Sequence, residues 1–342
     1  MYTMMNVAQK AKVSRTTVSR YLNKNGYVSK ESQQKIENAI VKLNYLPNKI
    51  AQSLVKRETK NIAFIVSDIS NPVSSAIAKN AEKIANHYGF NIILCNTGFN
   101  LQQEAEYIYK LIEKQVDGII LAPNGKGGRH LDEVIRRKIP LVFITRKVEG
   151  IDADYVRFAN ESDSFKVVEH LIRLGHKRIG VICRLVDKEN TKSRLAGYIN
   201  ALKQYQIPLE EELIVSGQAI EKVGYKGMER LFKLHNPPTA IYTAVNFFAA
   251  GVIRFCKDKG IKIPEEIALA SFESFEELDP IISPSITANK MPTKYFGKMV
   301  VQILIERIIN KEKDFSPFKE ISLKGKLIQR ESSLGKKLPR KR

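Results

Sequence analysis

The sequence predicts a small all-α helix-turn-helix head followed by an α/β core with parallel strands. Apolar residues recur at helical spacing through residues 1–46. From residue 61 onward, short apolar runs alternate with helical stretches of about 10–17 residues. The 342 residues are 43% hydrophobic, which is enough to bury a sizeable core in two or three domains.

The second predicted helix begins after Ser14, which caps a run reading SRTTVSRYLN. Val18 and Leu22 lie four residues apart and therefore face inward together. A shorter amphipathic segment, 4–11, precedes this helix, and the three residues between them match the tight turn of a helix-turn-helix unit. This spacing favours insertion of the second helix into the major groove of DNA. The alternative is an ordinary solvated basic helix.

A third helix is predicted at 30–43, capped by Ser29 and preceded by the Asn25-Gly26 turn. Pro47 then breaks the chain, and Asn48 caps the short segment KIAQSLVK. That segment is shorter than the roughly 12–15 residues that an isolated helix needs to be stable in water. We therefore expect another component to fold it.

The core strands are predicted from apolar runs separated by helices, which is the pattern of right-handed βαβ units. Their number exceeds what one sheet comfortably holds. The runs are IAFIV (62–66), NIILC (91–95), GIILA (118–122), PLVFI (140–144), RIGVIC (178–183), TAIYT (239–243) and IALASF (267–272).

The net charge of +20 and the pI near 9.7 indicate a polyanionic partner, with nucleic acid the first candidate. Residues 1–60 contain 12 Lys or Arg against three Glu, so the head is the end that faces the polyanion. Arg15 and Arg20 of the second helix diverge around it, and each can reach guanine O6/N7 or a phosphate.

The cysteines and the apolar segments indicate in which cellular compartment the protein acts. Cys95, Cys183 and Cys256 are odd in number, far apart and set in apolar runs, which favours core thiols over disulfides or a metal site. We find no apolar N-terminal stretch of the signal-peptide kind and no run of the roughly 18 residues that a membrane helix requires. A cytoplasmic protein without membrane contact is predicted.

Enzyme signatures are absent from the sequence: it has no Walker A, GxSxG or HExxH motif. His176 lies in a helix-to-strand connection with no carboxylate or nucleophile near it in sequence, which favours a structural role over that of a general base. We predict no catalytic residue, no cofactor and no metal.

Several ordered motifs carry a resemblance to a known family. They are NVAQKAKVSRTTVSRYLN (6–23), YVSKES (27–32), LNYLPNKIAQSL (43–54), SDISNP (67–72), VDGIIL (116–121), LIRLGHKRIGVI (171–182) and SRLAGY (193–198). Together they resemble the lactose/galactose-repressor family of bacterial transcription regulators over nearly the whole chain.

The resemblance implies a core of two periplasmic-binding-protein-like subdomains with parallel sheets flanking a cleft. The chain would cross between them near 160, 288 and 320. The implied domains are a helix-turn-helix head (1–46), a hinge helix and linker (47–60), an N-terminal core subdomain (61–161 with 289–319), a C-terminal core subdomain (162–288 with 320–332) and a basic tail (333–342).

The implied function is sequence-specific DNA binding by a homodimer on a pseudo-palindromic operator, as a nucleoid-associated repressor of carbohydrate-utilisation genes under allosteric control by a small effector. One rival is a periplasmic sugar-binding protein, which would need a signal peptide and no head. The other is an α/β enzyme acting on a sugar, which would need a catalytic constellation that the sequence lacks. Duplex DNA binding without sugar turnover discriminates among the three.

The resemblance also supplies the DNA-contacting positions. Arg20 matches an arginine that contacts guanine, and Leu54 matches a leucine that two subunits insert into the minor groove. The alternative for Leu54 is a place on the apolar stripe of a short helix. The predicted DNA-binding residues are Thr3, Ser14, Arg15, Thr16, Thr17, Ser19, Arg20, Asn23, Asn48, Ala51 and Leu54.

The effector site is predicted in the cleft, where Arg194 matches an arginine that binds sugar hydroxyls or carboxylates. Three family positions depart from the pattern: they read Val245-Asn246, Glu273 and Met291 here. These departures, with Arg146 and Arg184 at other strand ends, favour a sugar acid or sugar phosphate over a neutral sugar. Surface ion pairing is the alternative for the last two arginines. The predicted effector residues are Ser70, Asn71, Arg146, Arg194, Asn246 and Glu273.

Overall fold

The computed structural model describes residues 2–23, 25–46, 58–184, 189–217, 220–274, 282–310 and 317–334. The chain divides into two compact units, Met1–Thr59 and Lys60–Arg342, which we call the head and the core. The predicted hinge helix with Asn48, Ala51 and Leu54, and residues 335–342 of the basic tail, lie outside the described residues.

The helices begin and end mostly where capping side chains and left-handed residues allow. In the head they are α1 (Met4–Ala11), α2 (Arg15–Asn23) and α3 (Lys30–Leu43). In the core they are α4 (Pro72–His87), α5 (Leu101–Glu113), α6 (Arg129–Arg136), α7 (Asn160–Arg173), α8 (Glu189–Gln204), α9 (Ile220–Phe232), α10 (Asn246–Lys259), α11 (Thr293–Ile309) and α12 (Glu331–Leu334).

The head is a three-helix unit whose bounds follow the sequence pattern. Each helix contributes a fully buried apolar side chain to one core: Val7 from α1, Val18 from α2 and Ile36 from α3. Lys12 ends α1 with φ 55°, the left-handed conformation that closes a helix and starts the tight turn toward α2. The predicted helix-turn-helix geometry is confirmed.

The core strands form two six-stranded sheets in the described residues. The strands are β1 (Asn61–Val66), β2 (Asn91–Asn96), β3 (Gly118–Leu121), β4 (Leu141–Ile144), β5 (Asp154–Phe158), β6 (Ile179–Arg184), β7 (Ile214–Gly217), β8 (Ala240–Thr243), β9 (Ala268–Ser271), β10 (Thr287–Lys290), β11 (Glu320–Leu323) and β12 (Lys326–Ile328). The first sheet has the order β11-β5-β4-β3-β1-β2 and the second the order β12-β10-β9-β8-β6-β7. Nearly all neighbours are parallel, with β12 antiparallel to β10.

The strands divide the core at different residues from those predicted. β10 lies in the second sheet through Lys290, so the chain returns to the half with the first sheet just after that residue, and residues 289 and 290 belong to the second half instead of the first. β11 pairs in parallel with β5, from Glu320 opposite Tyr155 to Leu323 opposite Phe158, so it completes the edge of the first sheet. The assignment of 320–323 to the C-terminal subdomain is therefore wrong, because the third crossing comes only after Leu323.

Helices cover both faces of each sheet, which explains why the strands read as continuous apolar runs. One large apolar cluster includes Phe64 and Phe158 of the first sheet and Tyr242 of the second. At the crossing of α7 and α8, an added Cβ on Gly197 would lie 2.2 Å from the Glu161 carbonyl oxygen, so only glycine permits this approach.

A buried ion pair and three buried thiols lie in the core. Arg307 of α11 donates from Nε and Nη2 to the two carboxylate oxygens of Asp154 on β5, at 2.8 and 3.0 Å. Cys95, Cys183 and Cys256 are buried free thiols, and burial raises the pKa of Cys183 and Cys256 to about 11. In the described part of the chain, no helix is both long and apolar enough to cross a bilayer.

Candidate nucleic-acid interface and effector site

The N-terminus of α2 is built by Ser14. Its hydroxyl accepts from the Thr17 backbone N–H at 3.1 Å and lies 2.7 Å from the hydroxyls of both Thr16 and Thr17. This network satisfies an otherwise unpaired helix donor and fixes the first turn. Arg15 and Thr16 are exposed at that end of the helix.

Further along α2, Arg20 is exposed, and its aliphatic stem lies beside the turn at Gly26, with Cδ 3.6 Å from the position of an added Cβ. Asn23 donates from Nδ2 to the Ser19 carbonyl oxygen at 2.9 Å and so closes the last turn of the helix. Thr3 belongs to a capping box with Asn6 at the start of α1. The structure therefore brings the predicted residues of the first 23 positions to helix starts and to α2.

A hydrogen bond fixes α2 against α3. The Tyr21 hydroxyl donates to Glu37 Oε1 at 2.5 Å, and this bond raises the pKa of Tyr21. Sequence reasoning did not identify this pair, because its members lie on different helices. It holds the helix that carries Arg15 and Arg20 in a fixed direction.

A cavity of about 170 Å³ lies between the two sheets of the core, at the carboxyl ends of their strands. Ligands of parallel α/β folds bind in this position because the loops there leave a crevice. The polar and charged residues of its wall are Ser67, Asp68, Asn71, Ser74, Thr145, Arg146, Asn160, Arg184, Asn190, Thr191, Arg194 and Glu273.

Arg194 of α8 is the most heavily bonded side chain in this cavity. It donates from Nε to Asn160 Oδ1 at 3.0 Å, from Nη1 to the Ala244 carbonyl oxygen at 2.5 Å and from Nη2 to Glu273 Oε1 at 2.7 Å. Its guanidinium also lies 3.8 Å from the centre of the Phe272 ring. The charge of Arg194 is therefore paired with a carboxylate and held in one orientation.

Glu273 supplies an acceptor to the cavity. The residue is 6% exposed and lies in the cavity wall. Its Oε1 accepts from Arg194, whereas its Oε2 is buried and has no hydrogen-bond partner among the described residues. An unsatisfied buried carboxylate oxygen is costly, and a donor from a bound ligand would remove that cost.

The backbone makes an unusual turn directly before Arg146. Its backbone N–H donates to the Ile144 carbonyl oxygen at 2.7 Å, around Thr145 with φ 64°. A β-branched residue rarely adopts this conformation, and such strain is concentrated at functional sites. The Tyr155 hydroxyl donates to the Thr145 carbonyl oxygen at 3.1 Å and supports the turn.

The floor of the cavity on the first sheet rests on a polar network. Ser67 donates to Asn124 Oδ1 at 2.7 Å, and the Asn124 backbone N–H donates to Glu104 Oε2 at 2.8 Å. Glu104, which is fully buried, lies 3.1 Å from Nε2 of the buried His130. The network fixes the direction of Ser67, and sequence reasoning missed it because its members are far apart in the chain.

The structure brings four of the six predicted effector residues to the cavity wall: Asn71, Arg146, Arg194 and Glu273. Ser70 is not among the wall residues. It is exposed and bonds Asp68 Oδ1 with both its N–H and its hydroxyl, so that Asp68 takes its place.

Asn246 is also absent from the wall. It is fully buried at the start of α10, where its Oδ1 accepts from the Phe247 N–H at 2.8 Å. The wall residues Asp68 and Asn160 follow β1 and β5, so the rule of strand carboxyl ends could have found them. Among the described residues, no cluster of three metal-ligating side chains is found.

Known proteins are similar to this chain in sequence and in fold. Residues 59–329 match the family model for periplasmic binding proteins and the sugar-binding domain of the LacI family, and residues 3–48 match the model for bacterial regulatory proteins of the lacI family. A probable HTH-type transcriptional regulator, EndR, of Paenibacillus polymyxa is 33% identical, over 97% of this chain and 98% of that protein. The PurR transcriptional repressor of Vibrio atlanticus is 31% identical, over 91% and 93%.

Solved structures agree with the fold. The lac repressor dimer bound to operator and the anti-inducer ONPF superposes with a TM-score of 0.85 at 22% identity, covering 97% of this chain and 99% of that one. A LacI family transcriptional regulator from Enterococcus faecium with bound ribose has a TM-score of 0.71 at 26% identity, covering 80% and 98%.

Proposed function

Because this chain belongs to the LacI family of bacterial regulatory proteins, we propose that it represses carbohydrate-utilisation genes and that a sugar bound between the two sheets of its core sets its affinity for an operator. Its relatives are DNA-binding transcription regulators. The protein acts in the cytoplasm and on the nucleoid, and it performs no catalysis.

One observation carries the proposal of a sugar. The buried Glu273 presents an unpartnered Oε2 in the cavity wall, while its other oxygen is held by Arg194. A hydroxyl is a neutral group that can donate to such an oxygen and also accept from the N–H groups of the neighbouring guanidinium. Adjacent hydroxyls on a sugar ring supply both functions at once.

The Arg194–Glu273 ion pair favours a neutral sugar over a sugar acid or sugar phosphate. The cationic members are Arg146, Arg184 and Arg194, and the anionic members are Asp68 and Glu273. Pairing with Glu273 neutralises Arg194, one of the three arginines on which the expectation of an anionic ligand rested. A second negative charge beside the buried Glu273 would be repelled.

Operator reading belongs to α2. Arg15, Thr16 and Arg20 are exposed on this helix, and Arg20 contacts a guanine through its two-pronged guanidinium. A homodimer places two such heads on a pseudo-palindromic site, since a twofold protein requires twofold DNA. The lac repressor structure is that of a dimer bound to operator, and the same assembly is proposed for this chain.

The hinge is part of the same proposal. Leu54 enters the minor groove together with its counterpart from the second subunit and kinks the duplex, and Asn48 and Ala51 are further DNA-binding residues of this segment. DNA and the partner subunit then supply the packing that a segment of this length cannot supply alone. A Leu54→Ala variant that bends operator DNA as the wild type does would exclude this role.

Isothermal titration calorimetry tests the effector. The purified protein is titrated with ribose, cellobiose, gluconate and glucose 6-phosphate, alongside the variants Glu273→Gln and Arg194→Ala. We expect a neutral sugar to bind and both variants to weaken it at least tenfold, because a hydrogen bond to a charged group contributes about 1.5–3 kcal/mol. Preference for an anionic ligand would overturn the charge argument, and unchanged binding to Arg194→Ala would remove that residue from the site.

A further inference from the structure

We propose that Phe99 and Arg184 form a latch across the mouth of the cleft, which holds the two halves of the core closed even without a ligand. The Arg184 guanidinium lies over the Phe99 ring, with Cζ 4.7 Å from the ring centre. A cation within about 6 Å of an aromatic centroid is attracted by the negative face of the ring. Both side chains belong to the cavity wall.

The two residues come from opposite halves of the core. Phe99 follows β2 of the first sheet by three residues, and Arg184 is the last residue of β6 in the second sheet. Each therefore moves with its own half when the cleft opens or closes. The contact joins the halves only while the cleft is closed.

The Phe99–Arg184 contact lies where it strongly affects closure of the cleft. The chain crosses between the halves after β5, after β10 and between β11 and β12. These four strands are the first two at one edge of each sheet, β11 and β5 in the first sheet and β12 and β10 in the second. β2 forms the opposite edge of the first sheet, and β6 is next to the opposite edge of the second. Because the latch lies on the far side from the crossings, a small rotation about them separates Phe99 from Arg184 by a large distance.

The backbone of Phe99 indicates that its position is enforced. Phe99 has φ 62°, a conformation that a bulky residue rarely adopts. Its N–H donates to the Ser67 carbonyl oxygen at 3.3 Å, and the next N–H, of Asn100, donates to the Thr97 carbonyl oxygen at 3.0 Å. These bonds hold the Phe99 backbone in this conformation at an energetic cost, and strain of this kind is concentrated at residues with a role in binding or switching.

The latch shifts the equilibrium between open and closed forms before any ligand is present. An exposed cation–π contact of ordinary strength changes such an equilibrium about two- to fivefold. Since a ligand enclosed by both halves binds the closed form, its apparent affinity changes by up to the same factor. Closure itself does not depend on which ligand the cavity takes.

Distances between two spin labels on the full chain, measured without ligand, test whether the latch holds the cleft closed. Labels at Gln102→Cys, exposed on α5 of the first half, and Lys192→Cys, exposed on α8 of the second, report the width of the cleft. The native cysteines are buried and remain in place. Phe99→Leu keeps apolar bulk without the π face, whereas Phe99→Tyr keeps the face.

We expect Phe99→Leu to lower the ratio of closed to open molecules, read as short against longer label distances, about two- to fivefold. Phe99→Tyr should retain the wild-type distribution. Arg184→Met should act like Phe99→Leu, and the double variant should show no further opening, because both remove the same contact. Tyr109→Leu is the matched control: Tyr109 is 43% exposed against 42% for Phe99, and it lies outside the cavity wall. A wild-type distribution for Phe99→Leu, or additive effects in the double variant, would overturn the latch.

Discussion

Arg194 and Glu273 form a buried ion pair, with Nη2 donating to Oε1 at 2.7 Å and the two residues only 8% and 6% exposed. They are far apart in the sequence, on α8 and after β9. Their pairing makes the cavity wall a fixed arrangement of donor and acceptor. It also makes each side chain dependent on the other, because a buried charge without its partner is strongly disfavoured.

Glu273→Ala should therefore destabilise the core by about 3–5 kcal/mol, since it leaves the Arg194 charge uncompensated. Glu273→Gln, which keeps the shape and an acceptor oxygen, should cost less, on the order of 1–3 kcal/mol. Urea unfolding monitored by circular dichroism measures both. A loss below about 1 kcal/mol for Glu273→Ala would mean that solvent or another group neutralises Arg194.

Stability should fall below pH 6.5 because of the buried His170 and the half-buried His176. Burial lowers the pKa of His170, whose Nε2 lies 2.8 Å from the Ser333 hydroxyl, and burial also lowers the pKa of His176. The unfolded chain therefore takes up protons that the folded chain does not, and folding loses free energy as pH falls from 6.5 to the folded pKa values. The loss is at most about 1.4 kcal/mol per pH unit for each histidine.

Thermal unfolding between pH 5 and 8 measures this effect. His170→Gln should show a shallower decline than the wild type below pH 6.5. The matched control is His87→Gln, since His87 is exposed at the end of α4. Equal slopes for the wild type and His170→Gln would show that protonation of His170 is not coupled to folding.

Arg20→Ala should relax operator specificity more than it weakens binding overall. A two-pronged contact from arginine to guanine contributes roughly 1–3 kcal/mol of discrimination, so the ratio of affinities for operator and random duplex should fall about 5- to 150-fold. Lys42→Ala, an exposed cation on α3, serves as the control and should leave that ratio unchanged. Fluorescence anisotropy with both duplexes, at one stated salt concentration, gives the ratio. Equal losses on both duplexes for Arg20→Ala would exclude base reading.

Much of the fold follows from local pattern, and the exceptions have a physical cause. The seven apolar runs predict strands that are buried on both faces. Each strand is present within a residue or two of its predicted ends, but β2, at the edge of its sheet, is mostly exposed or half-buried. β5, with the sequence DYVRF, was not predicted because its two charged residues interrupt the apolar run by which the strands were identified. The Asp154 carboxylate is tolerated there because Arg307, distant in sequence, binds both its oxygens.

The position of the cavity was predictable from the sequence, but the contacts between its side chains were not. Arg194 and Glu273 were found through family resemblance and Asn71 and Arg146 through strand ends, yet nothing local shows that the first two neutralise each other. Likewise, the choice between Asp68 and Ser70 depends on a turn in which the serine bonds the aspartate. Contacts that close long loops determine these details, and a single sequence does not specify them.

The central claim is that a sugar bound beside Glu273 changes the affinity of the protein for its operator. A gel shift of the full-length protein on the DNA upstream of its own gene measures this, with and without the neutral sugar that binds in calorimetry. We expect the sugar to change the operator affinity of the wild type at least tenfold and to leave Glu273→Gln, at the same sugar concentration, unchanged. If the sugar binds the wild type without altering operator affinity, or if Glu273→Gln responds as the wild type does, the account is contradicted.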